Sequence, residues 1–216
     1  MNINLIHGMR EKSLICFTIV MLILFFTGQL CIAEDSRKGE IDIQGFRAAH
    51  FGMTEDEVMK AIINDFNARK NQVVKGLNPL EKTVTLSVLV NNLLPESGKS
   101  LIVYIFGYTS KKLIQINIVW GVPVEKKPDI SALVSTANVL NKYFSALRFN
   151  PEKTVINRPL KDGSIIVFQS ADEKDRMVRL ELKKSKTKDS GAMSLQLSYV
   201  KDPRSPDIFI IKKGLF

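Results

Sequence analysis

Cysteine and histidine are nearly missing from this chain of 216 residues, which has two of each: Cys16, Cys31, His7 and His50. Three of the four precede residue 34, in a segment that reads as a leader, so the remainder keeps His50 and no thiol. That excludes thiol catalysis, disulfides, Cys/His zinc sites and multi-histidine metal sites, and no metal or cofactor is expected. A phosphate loop is missing as well. Gly98-Lys99-Ser100 matches the end of one, but Leu93 stands where its first glycine is required, so the segment reads as a turn. Ser185 and Lys188 have Ser-x-x-Lys spacing inside a lysine-rich loop, without the buried lysine that a nucleophilic serine needs. Asp172, Glu173 and Asp175 lack the glycine and the ligand spacing of a calcium loop and read as a solvated turn. His50 has no neighbour to orient it and reads as structural. No triad, paired-carboxylate signature or glycine-rich cofactor loop survives, so the expectation is a protein that is not an enzyme.

What is present begins with a leader. Arg10 and Lys12 precede a thirteen-residue run, Leu14 to Phe26, apolar at every position but Thr18, and Ala33 stands before the charged Glu34-Asp35. Such a run is too short for a spanning helix, which needs about 20 residues, and fits a signal peptide over residues 1–33. A cleaved, periplasmic or secreted protein is expected. An N-terminal membrane anchor and a lipid on Cys31 are the lesser readings, since Gln29 and Leu30 fit a lipobox badly.

Without residues 1–33 the net charge is +8, against +9 for the whole chain. Such a surface suits anionic lipid, acidic polymer or an acidic protein. Nucleic acid is disfavoured for an exported chain that has no basic run interleaved with aromatics. The densest charge, Lys183 to Asp189, reads as a solvated hairpin loop.

Met53-Thr-Glu-Asp-Glu-Val58 is a helix start: Thr54 as cap, Glu57 closing a capping box, Met53 and Val58 as a staple. Val58, Ala61, Ile62 and Phe66 then recur at helical spacing. A second helix follows Pro128-Asp129, with Ile130, Leu133, Val134, Ala137, Leu140, Phe144 and Leu147 on one side. Alternation marks strands over Lys82–Val90 and Lys112–Trp120. Further strands read at Leu101–Tyr108, Ser164–Phe168, Met177–Lys183 and Leu195–Val200. The order helix, three strands, helix, three strands predicts an α+β fold in which helices cover one face of an antiparallel sheet. Asn78-Pro-Leu-Glu-Lys-Thr-Val84 echoes Asn150-Pro-Glu-Lys-Thr-Val155, and the fold is expected to be a tandem α-βββ duplication. Its halves, residues 34–123 and 124–216, would form one continuous domain.

The stretch Phe46-Arg-Ala-Ala-His-Phe-Gly-Met-Thr-Glu-Asp-Glu-Val58 resembles the opening of a set of uncharacterised exported proteobacterial proteins. Its Gly-Met-Thr helix start is also similar to that of the SmpA/OmlA outer-membrane lipoprotein domain and of the β-lactamase-inhibitor-protein-like fold. The resemblance implies helices laid on an antiparallel sheet and used for protein binding. The SmpA/OmlA pattern includes a lipobox, from which this chain departs.

The functional surface is expected from register. Pairing Tyr108 with Leu113 puts Leu101, Val103 and Ile105 with Ile114, Ile116, Ile118 and Trp120 on the core side. The other face then carries Ile102, Tyr104, Phe106 and Tyr108 beside Gln115 and Asn117, with Thr83, Thr85 and Ser87 from the preceding strand. Tyr104, Phe106, Tyr108, Gln115 and Asn117 are accordingly the expected partner-binding residues, aromatics among amides being a common composition for a protein interface. The expected partner is another envelope or exported protein. A module for anionic lipid or acidic polymer is the alternative, and an enzyme of unrecognised type is third.

Overall fold

The computed structural model describes residues 41–184 and 193–210. The leader with its apolar run, the Ser185/Lys188 pair and most of the lysine-rich loop lie outside the described residues.

Local chemistry starts both helices. Helix α1 (Glu55–Phe66) is capped by Thr54, whose hydroxyl accepts from Glu57 N–H while the Glu57 carboxylate accepts from Thr54 N–H, which completes the capping box. Those bonds, backbone first, hold the Glu57 carboxyl below its ordinary range. Asn67, in the left-handed region, ends the helix. Helix α2 (Ile130–Ala146) starts from Asp129, whose carboxylate accepts from Ser131 and Ala132 N–H.

After a small hairpin, β1 (Gly45–Phe46) and β2 (Ala49–His50), α1 leads into four strands: β3 (Val74–Leu77), β4 (Val84–Asn91), β5 (Lys99–Phe106) and β6 (Leu113–Gly121). α2 leads into four more: β7 (Val155–Pro159), β8 (Ile165–Ala171), β9 (Met177–Lys184) and β10 (Met193–Val200). All eight join one antiparallel sheet in the order β3-β4-β5-β6-β10-β9-β8-β7. The chain is therefore α+β as expected. Each helix is followed by four strands rather than three, because a short strand with little alternation, holding Gly76 in one half and Pro159 in the other, closes each edge. The two Asn-Pro echoes occupy different places. Asn78 lies between β3 and β4, whereas Asn150 caps a short 3-10 turn before β7. They share local turn chemistry, each side-chain oxygen accepting a backbone N–H two residues on.

Both helices lie on one side of the sheet. α1 packs on β4, and α2 crosses β6, β8, β9 and β10. Beneath them Leu86, Ile102, Ile116, Ile118, Trp120, Val178, Leu180 and Leu197 are buried. Phe168 stacks on Phe144 at 5.4 Å.

The turn after β5 overturns the expected register. Gly107 N–H donates to the Lys112 carbonyl and Phe106 opposes Leu113, so Tyr108 and Leu113 do not pair. A bulge follows, after which Ile105 opposes Gln115, Tyr104 opposes Ile116 and Ile102 opposes Ile118. A one-residue slip exchanges the faces of a strand. Tyr104 and Phe106 therefore share the helix-covered face with the isoleucines, while Leu101, Val103 and Ile105 turn to the other side.

Candidate functional site

The side of the sheet that carries no helix among the described residues is the candidate surface. Alternation places there Thr85, Ser87 and Leu89 of β4, Leu101, Val103 and Ile105 of β5, and Gln115, Asn117 and Val119 of β6. From the second half it receives Gln196, Ser198 and Val200 of β10, then Met177, Arg179, Glu181 and Lys183 of β9.

Across its centre runs a polar band. Asn117, Ser198, Arg179 and Gln169 face one another in register across four strands. Gln115 Nε2 donates to Asn117 Oδ1 at 2.9 Å, and Gln196 Nε2 donates to Ser198 Oγ at 2.8 Å. Lys183 Nζ donates to Gln196 Oε1 at 2.8 Å. Glu181 lies 3.0 Å from Arg179 and 3.9 Å from Lys183. These side chains hold one another in fixed rotamers, so a partner that bonds to them meets groups already ordered. The charged groups of the band, Arg179, Glu181 and Lys183, are ion-paired with one another.

The segment from Lys201 to Ile210 borders one end of this face. Lys201 N–H donates to the Ile114 carbonyl exposed by the bulge, and Phe209 N–H donates to the Glu81 carbonyl. Asp207 is the anchor: its carboxylate accepts from Thr109 N–H and Ser110 N–H at 2.8 Å each, and its carbonyl from Tyr108 N–H. Burial alone would push the Asp207 carboxyl up, but the hydrogen bonds from Ser110 and Thr109 outweigh it and hold the group at about 2. A Cβ on Gly107 would sit 2.1 Å from the Asp207 carboxylate, so this close approach requires glycine. Between segment and sheet is a shallow hollow of 390 Å³ lined by Ile105, Gln115, Arg179, Ser198, Pro203 and Pro206 among others.

The five expected site residues are divided by the sheet. Gln115 and Asn117 lie on the helix-free face, half-buried in the polar band. Tyr104 and Phe106 are 0% exposed beneath the helices, which corrects the expectation that they meet a partner. Burial raises the Tyr104 pKa, and its hydroxyl has no hydrogen-bond partner among the described residues. Tyr108 is at the rim, 36% exposed, with its ring edge-on to Phe209 at 5.5 Å and Lys111 over it. The solvated turn expected at Asp172 is also corrected. Asp172 is buried, with its carboxylate accepting from Ile43, Lys174 and Arg176 N–H and from Arg176 Nε at 2.7 Å.

The reading from sequence missed Ser198, Gln196, Arg179, Glu181 and Lys183. Ser194, Gln196 and Ser198 do alternate with Leu195 and Leu197, so a polar face was visible. Its neighbour was not, because β10 pairs with β6 across a gap of more than seventy residues in sequence.

Comparison with known proteins found no matching family model, no matching curated protein and no matching solved structure.

Proposed function

We propose that this protein is a non-enzymatic binding module of the cell envelope that captures another exported protein on the helix-free face of its sheet. The observation that carries the reading is the polar band of Gln115, Asn117, Ser198, Gln196, Arg179, Glu181 and Lys183, ordered by its own hydrogen bonds and set among half-buried leucine, valine and isoleucine. An apolar surround with a few polar groups bonded to one another is the anatomy of a protein interface, and fixed side chains lower the entropy cost of binding. Tyr108 with Phe209 supplies an aromatic anchor at the rim. The leader expected over residues 1–33 puts the module outside the cytoplasm. The recurrence of helix, 3-10 turn, short edge strand and three long strands supports a tandem origin of the two halves.

A photoreactive residue at Asn117 tests this, with one at the exposed Lys142 of α2 as control. The expected result is a discrete protein adduct from position 117 and none from 142, competed by unlabelled protein and little changed between low salt and 0.5 M salt. Binding instead to vesicles of anionic phospholipid, lost as salt rises, would replace this reading with the basic-module alternative.

A further inference from the structure

The helix-covered side of the sheet is not filled everywhere by the protein's own side chains. A half-open cavity of 520 Å³ lies between α2, the segment Ile41–Arg47 and a floor formed by Ile118, Trp120, Val178 and Leu197, with Leu140 and Phe144 as one wall. Protein interiors hold few voids larger than a water molecule, and space bounded by such side chains gives water too few partners. The size falls within the roughly 300–1,000 Å³ of small-molecule sites.

Polar groups at the rim narrow the ligand class. Asp42 is neutralised by Arg176 and Lys174 and also accepts from the Gln44 amide, so its carboxylate is already engaged. Arg47 differs. Its guanidinium donates to the Asp65 carbonyl at 3.0 Å and lies 4.8 Å from the centre of the Phe66 ring, and it pairs with no carboxylate among the described residues. It is exposed and holds φ at +53°, a region seldom used by a side chain of this kind. Val139 and Tyr143 of α2, which also line the cavity, are 56% and 59% exposed and present apolar surface at the mouth.

We propose that this cavity binds the hydrocarbon chain of a free long-chain carboxylate, with Arg47 receiving the carboxylate head. A methylene takes about as much room as a water molecule, roughly 30 Å³, so the cavity accepts a chain on the order of a dozen carbons. An apolar interior with a single cation at its rim selects that chemistry over a neutral polar ligand, which would lose its hydrogen bonds there. The site is on the opposite side of the sheet from the proposed protein-binding face, so either proposal stands without the other.

Dansylaminoundecanoic acid, a fluorescent fatty acid, tests it on the purified full chain, with dodecanoate as competitor. The expected result is saturable, blue-shifted fluorescence at one site per chain, displaced by dodecanoate and at least tenfold less well by its methyl ester. Val139→Glu, and separately Tyr143→Glu, put a carboxylate at the mouth from exposed positions. Each should weaken binding at least tenfold with an unchanged melting temperature. Arg47→Gly, which suits the positive φ, should remove the preference for dodecanoate over the ester. Absence of saturable binding, binding insensitive to both mouth variants, or equal displacement by acid and ester would each overturn the proposal. So would transfer of the probe only to phospholipid vesicles, or a photocrosslink from position 139 to residues 1–40 of the same chain, which would make that segment the occupant.

Discussion

Strands β5 and β6 present two faces made from nearly equally apolar residues, and the two have opposite fates. On one, Ile102, Tyr104, Phe106, Ile116, Ile118 and Trp120 are at most 1% exposed. On the other, Leu101, Val103, Ile105, Gln115, Asn117 and Val119 stay half-buried against a polar band and the C-terminal segment. Hydropathy does not separate Leu-Val-Ile from Ile-Tyr-Phe. What differs is side-chain volume: the large aromatics Tyr104, Phe106 and Trp120 all lie on the helix-covered side. The buried hydroxyl of Tyr104, left without a partner among the described residues, shows the cost accepted for burying them. The open face has smaller apolar groups and polar groups largely bonded to one another, although Arg179 Nε there also has no hydrogen-bond partner among the described residues.

Substitutions ordered by expected effect sharpen this contrast. Phe106→Ala should destabilise the fold by about 3 to 5 kcal/mol in denaturant unfolding, because it empties a core aromatic site. A loss below about 1 kcal/mol would return Phe106 to the surface and reverse the assignment of faces. Asp172→Ala should cost about 3 kcal/mol, since it removes a buried carboxylate that binds Arg176 and frees the Ile43 N–H that ties the N-terminal segment to the β8–β9 turn. Hydrogen exchange should then rise first in residues 41–47. Thr54→Ala should lower stability by about 1 kcal/mol through loss of the capping box, read as a shift of the urea midpoint.

Asp207→Asn probes the open face's border and should cost about 1 kcal/mol near neutral pH. The Asp207 carboxyl sits at about 2, below its ordinary 3.8, so its contribution is present above pH 3.8 and is lost as pH falls through 2. Wild type and variant should therefore converge in urea midpoint toward pH 2, and a gap that persists there would assign the effect to packing. Least of all, Gln115→Ala with Asn117→Ala should change stability by no more than about 0.5 kcal/mol while weakening partner capture, which separates a binding face from a structural one.

Both helix starts were legible because their signals are local: Thr54 with Glu57, and Asp129 before Ile130, satisfy their own backbone donors whatever lies above them. The six long strands were legible to within three residues at each end, because alternation and apolar runs are also local signals. The edge strands β3 and β7 were not, since short strands with exposed side chains carry no alternation to read. Gln115 and Asn117 were placed on one face with each other correctly, while their aromatic companions were exchanged by a single bulge.

The chain by itself determined where helices begin, which segments extend, and that two helices would cover one side of an antiparallel sheet, because capping and side-chain periodicity act over a few residues. Which side of β5 they cover was decided only in three dimensions. Asp207, a hundred residues beyond Gly107, seizes the β5–β6 turn, and Lys201 takes the bulged carbonyl of Ile114. Those contacts between distant segments set the register, and register assigns every side chain of a strand to core or solvent.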